Sequence, residues 1–175
     1  MIMRNTFYRS IAALVPAMFA ASVVHTAEPR AYEMVAYTEG AGSEELFDGR
    51  YADAIEAAST ARSRTSAADL EASTNLCVAL TVTGDLSAAD EACSRALRLA
   101  RRVDASPGDR IRRGGESAKA RSNMGVLKAL RGDKRGAADD FRRAAGVSGW
   151  GGAIRNLAHL EASDPALARL ARAAQ

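Results

Sequence analysis

The stretch GDLSAADEACSRAL, Gly84 to Leu97, is written again forty-eight residues later as GDKRGAADDFRRAA, beginning at Gly132. Both copies open on Gly-Asp, carry Ala-Ala-Asp shortly after, and run on as Ala- and Arg-rich segments. Each is preceded by an apolar run, ASTNLCVALTVT before Gly84 and ARSNMGVLKALR before Gly132. Glycine ends a helix by taking the left-handed conformation, and the Asp that follows starts the next one. The repeated unit is therefore helix, Gly-Asp turn, helix. A chain built from such units is confined to all-helical architectures in which neighbouring units stack.

Aligning the copies on their glycines pairs Asn75 with Asn123, Leu76 with Met124, and Cys77 with Gly125. Beyond the turn, Ala89 pairs with Ala137, Cys93 with Phe141, and Ala96 with Ala144. A third copy begins at Gly49, 35 residues before Gly84, with Ala54, Ala58 and Ala61 at the same places. A fourth puts Asn156-Leu157-Ala158 in register, 33 residues after Asn123. The unit length is near 34, with about 14 residues inserted between the two central units.

These residues resemble the tetratricopeptide repeat family. Its pattern joins a large residue, Leu-Gly and an aromatic in the first helix to Ala-x3-Phe in the second. Leu76, Leu80, Ala89 and Ala96 match in one unit; Met124, Gly125, Ala137, Phe141 and Ala144 match in the next. Ser73 and Arg121 stand where the large residue is usual, and Lys128 replaces the aromatic. The resemblance implies a right-handed stack of antiparallel helical hairpins over residues 43–175, with units at 43–66, 67–102, 116–146 and 150–174. Helices are expected at 67–83, 86–102, 116–131, 134–146, 152–162 and 164–174. A short helix and a longer one are expected within 43–64. Residues 28–42 are read as a loosely ordered or extended segment.

Residues 1–27 are set apart. Arg4 and Arg9 precede the apolar Ile11–Val24, and His25-Thr26-Ala27 leads to Glu28. Basic, apolar and small-residue segments in that order form a secretory signal. Cleavage after Ala27 is expected, with Ser22 the alternative. The apolar run is short for a membrane span, so no stable insertion is expected once it is removed. The remaining chain should be periplasmic or secreted. It is acidic from Glu28 to Leu97, with 5 basic and 13 acidic residues, and basic from Arg98 onward, with 17 and 8. An exported chain makes nucleic acid an unsuitable partner for the basic half; a protein or peptide, acidic in character, suits it.

The side chains offer little for catalysis. His159 is the only histidine after residue 27, and no nucleophile motif accompanies it. No His/Cys spacing fits a metal, and no glycine-rich stretch carries a phosphate-loop lysine. Glu44-Glu45 and Asp139-Asp140 read as adjacent helix-surface acids rather than facing pairs. No catalytic, cofactor or metal site is expected. The function read from the sequence is an exported, non-enzymatic interaction module; the alternative is a structural subunit of an envelope assembly. Trp150, between Gly149 and Gly151, is read as a staple for the terminal helices or as a partner anchor.

Two sets of residues carry specific expectations. Cys77 and Cys93 are an even pair in an exported chain and lean toward each other across their hairpin, which favours a disulfide. Two buried thiols are the alternative. Asn75, Asn123 and Asn156 recur at one position of successive first helices. In the family that the repeats resemble, first helices line a groove where asparagine holds a ligand's backbone. The resemblance thus implies a peptide groove made by these asparagines, with Lys119 and Arg155 favouring acidic segments. Asparagines that only bond neighbouring helices are the alternative.

Overall fold

A computed structural model describes residues 32–61, 65–106, 115–148, 151–167 and 169. The expected signal segment, most of the insertion between the central units, and Trp150 lie outside the described residues. The described chain is all-helical apart from connections and an extended stretch at 32–37. Among the described residues seven helices follow in order, α1 Ser43–Phe47, α2 Tyr51–Thr60, α3 Ser66–Thr83, α4 Leu86–Asp104, α5 Gly115–Leu130, α6 Lys134–Ser148 and α7 Gly151–Ser163.

The repeated Gly-Asp turn is made the same way twice. Gly84 and Gly132 both have φ near +85°, a conformation that only glycine adopts without strain. The Asp85 carboxylate then accepts from the backbone N–H of Ala88 at 3.0 Å, and that of Asp133 from Gly136 at 2.9 Å. Each cap satisfies one of the donors that a helix start leaves open. Helices joined this tightly and packed together must run antiparallel. Each helix packs on the next along the chain, and α3 and α7 both also touch α5. The chain turns helical once more from Pro165, where Asp164 accepts from the backbone of Ala166 and Leu167.

The core is thin and rich in alanine. One cluster gathers Cys77, Leu80, Ala89, Ala92, Cys93, Met124 and Leu127 from α3, α4 and α5. Another joins Val126, Ala137, Ala138, Phe141, Leu160 and Leu167. Cys77 and Cys93 form a disulfide, with the sulfurs 2.05 Å apart and the Cα atoms 4.8 Å apart. It ties α3 to α4 at the level where Gly125 and Phe141 meet between α5 and α6.

The departures at Arg121 and Lys128 have a physical counterpart. Both cations converge on Asp140 of α6, at 3.2 Å and 2.6 Å. Asp140 is only 6% exposed, so the reading of it as a surface acid is corrected. This ion cluster holds α5 to α6. Arg142 and Arg143 are exposed, and Arg142 pairs with Asp139 and Glu161.

Candidate functional site

The three recurring asparagines sit on α3, α5 and α7, each at most 2% exposed. Their amides converge on one extended segment of the same chain. Asn156 Oδ1 accepts from the Glu33 N–H at 2.8 Å, and its Nδ2 donates to the Glu33 carbonyl at 2.7 Å. Asn123 does the same to Val35, with both bonds at 2.8 Å. Asn75 does the same to Tyr37, at 2.8 Å and 3.0 Å. Each amide occupies the place that a residue of a neighbouring β-strand would take.

The period is that of an extended chain. In such a chain the N–H and C=O of alternate residues point to the same edge. Residues 33, 35 and 37 therefore meet three successive amides, while Met34 and Ala36 turn their backbone groups away. The segment runs against the order of the helices: Glu33 lies at α7, Val35 at α5 and Tyr37 at α3. It then passes into α1. Gly40 makes that passage, since a Cβ there would stand 2.7 Å from the Cβ of Glu71.

The Tyr37 side chain packs on the cluster of Leu70, Leu99 and Val103. Tyr32, Met34 and Ala36 pack on the helices, and Met34 touches three separate core clusters. The Tyr32 ring lies 6.1 Å from that of Phe141 and meets His159 edge-on at 4.7 Å. Glu33 takes a bidentate pair from Arg155, both bonds 2.7 Å. Tyr37 donates its hydroxyl to the buried Glu116. Lys119 lies 5.5 Å from the Tyr37 ring centre and 3.1 Å from the same glutamate. Burial and the Glu116 carboxylate push the Tyr37 hydroxyl well above the usual tyrosine range. Past Tyr37 the groove continues as an open cleft of about 390 Å³ lined by Thr38, Glu39, Glu71, Glu116 and Lys119.

The five expected groove residues, Asn75, Lys119, Asn123, Arg155 and Asn156, therefore all meet residues 33–37, while Cys77 and Cys93 lie in the core. The asparagines spend their amides chiefly on this strand. Asn156 adds a 3.4 Å contact to Ser122, and Asn75 a 3.3 Å bond to Ala41. Arg155 meets an acid, as expected of the groove, but the acid is Glu33 of the same chain. Lys119 is paired within its own helix. The sequence reading of 28–42 as loosely ordered or extended leaves out the pairing of residues 33–37 with the asparagines, and with it Glu33, Tyr37, Glu116 and the Phe141–His159 slot. No period of two marks the segment, since Val35 and Tyr37 are apolar like Tyr32, Met34 and Ala36.

Among the described residues no group of three or more His, Cys, Asp or Glu side chains could hold a metal ion. No described helix is long and apolar enough to cross a membrane. Comparison with protein-family models, curated proteins and solved structures gave no match.

Proposed function

We propose that the chain is an exported interaction module of the tetratricopeptide type that acts by holding an extended peptide segment of a partner protein on the face of α3, α5 and α7. The observation that carries this reading is the row of asparagine amides, each bonding both backbone groups of every second residue. An amide offers a donor and an acceptor side by side, so the row grips an extended chain through features that every peptide shares. A buried amide left without partners costs about 1–3 kcal/mol. The face is therefore built to be occupied, and the chain's own strand occupies it until a partner's segment takes its place. The disulfide fits an oxidising compartment, in keeping with export.

The test is hydrogen exchange on the complex formed with a partner captured from envelope extract. A partner seated on this face displaces the strand, so the amides of Glu33, Val35 and Tyr37 exchange faster in the complex. Unchanged protection of those amides with the partner bound would place binding elsewhere.

A second reading, a subunit fixed in an envelope assembly, is favoured by Phe47, Val82 and Leu130. All three are at least 50% exposed, at the ends of α1, α3 and α5, and Val82 and Leu130 hold equivalent places in the two copies. Trp150, read from the sequence as a staple for the terminal helices or a partner anchor, lies outside the described residues.

A further inference from the structure

We infer that the partner segment resembles the chain's own strand: an aromatic residue, then an acid, then methionine, any residue, a small residue, and tyrosine. This rests on the proposed function and adds sequence selectivity to it. The asparagines read only backbone, so selectivity must come from the side-chain contacts of Tyr32–Tyr37. Phe141 and His159 form a slot for a flat ring. Arg155 presents a guanidinium fork, which matches a carboxylate in two parallel bonds. Met34 fills the junction of three core clusters, where an unbranched side chain adapts to an irregular gap. Ala36 lies against the cluster of Leu46, Ala54, Val78 and Ala79, so a small residue suits its place. Glu116 and Lys119 accept a hydroxyl and a ring together, which selects tyrosine over phenylalanine.

The resident strand has a further consequence. A short tether gives it an effective concentration on the order of millimolar. Only a segment that satisfies most of these contacts can displace it, so the tethered strand acts as a filter against weak ligands.

The experiment uses the full chain and a capped synthetic peptide, Tyr-Glu-Met-Val-Ala-Tyr. Val35→Pro removes the N–H that Asn123 accepts and leaves every groove residue in place, so it frees the face. The peptide should bind this variant at least about tenfold tighter than it binds the wild-type protein. A scrambled peptide of the same composition should bind the variant on the order of tenfold more weakly than the native one. A peptide with lysine in the second place should lose about fivefold, and adding Arg155→Glu to the protein should reverse that preference. Should Val35→Pro fail to fold, Glu33→Lys replaces it: the native peptide should bind this variant about fivefold tighter than the wild-type protein and the scrambled peptide about tenfold more weakly than the native one, without the Arg155→Glu arm, which would re-pair the resident strand. Equal binding of native and scrambled peptides would overturn the selectivity while leaving the peptide-holding function standing. Binding of neither to a folded variant would overturn both. A wild-type dimer that the native peptide dissociates would make a second copy's strand the occupant and overturn the assignment to a separate partner.

Discussion

Gly125 faces the ring of Phe141 so closely that a Cβ on it would stand 2.6 Å from the ring's Cε1. Cys77 and Cys93 hold the same two places in the preceding hairpin, and there the contact is a covalent bond. One position in the repeat is thus closed in two ways, by removing a side chain or by joining two. Gly125→Ala should lower stability by about 1–2 kcal/mol, because the buried ring has nowhere to retreat and overpacking outweighs the better helix propensity of alanine. Gly146→Ala on α6 meets nothing within 4 Å and should leave stability unchanged or raise it by up to about 1 kcal/mol. Denaturant unfolding of the two variants checks both signs.

The disulfide should matter more here than in a protein with a heavier core. It closes a loop with a sequence separation of 16, which corresponds to about 3 kcal/mol of stabilisation. Protein taken from cells and denatured without reductant should show no titratable thiol. Reduction and alkylation should lower the unfolding midpoint accordingly. Two free thiols in the native material would refute the bond.

Asn123→Ala should cost about 1–3 kcal/mol, since it leaves the N–H and carbonyl of Val35 without their partner. Asn123→Asp is the sharper variant. It keeps the acceptor for the Val35 N–H but sets a carboxylate oxygen against the Val35 carbonyl. Amide exchange at Glu33, Val35 and Tyr37 should accelerate in both variants, while the amides of α4 and α6 stay protected. A drop in global stability with no local change at the strand would make Asn123 a helix-packing residue.

The helices were legible in the sequence because their signals are local. Gly84-Asp85 and Gly132-Asp133 end one helix and cap the next within a few residues, so α3 at Ser66–Thr83 and α4 at Leu86–Asp104 fall close to the expected bounds. The asparagines were legible because they recur in register. Their occupant was not. Glu33 and Asn156 are separated by 123 residues, and nothing local to either names the other. Tyr32–Tyr37 lacks a complementary strand and pairs with side chains on three helices, a partner that strand patterns do not describe. Asp140 was misread for a related reason. Its burial depends on Arg121 and Lys128, which lie on α5 and reach it across the helix interface.

Asp140→Ala should lower stability by about 2 kcal/mol. It leaves two cations without a counter-charge, and breaking a buried pair from one side costs 3–5 kcal/mol when both partners are buried; here Lys128 is 36% exposed and is partly screened. Replacing Asp140 and Arg121 together should cost less than Asp140→Ala plus Arg121→Ala taken singly, and a double-mutant cycle measures that coupling. Simple additivity would show that the two do not interact.

The strand should loosen in alkaline solution, and Tyr37 should be the cause. Its folded value is raised by burial and by the Glu116 carboxylate that accepts its hydrogen bond, whereas an unfolded tyrosine ionises at about pH 10. Between those values the unfolded chain binds fewer protons than the folded one, so stability falls as pH rises. The contribution is complete below about pH 10 and declines above it. Tyr37→Phe removes this group and leaves every other alkaline titration in place. Wild-type protein should therefore lose its unfolding midpoint more steeply than Tyr37→Phe above about pH 10, while being the more stable of the two at neutral pH. Exchange at the Tyr37 amide should rise over the same range, ahead of the helices. Parallel pH profiles for the two proteins would show that the Tyr37 hydroxyl does not hold the strand.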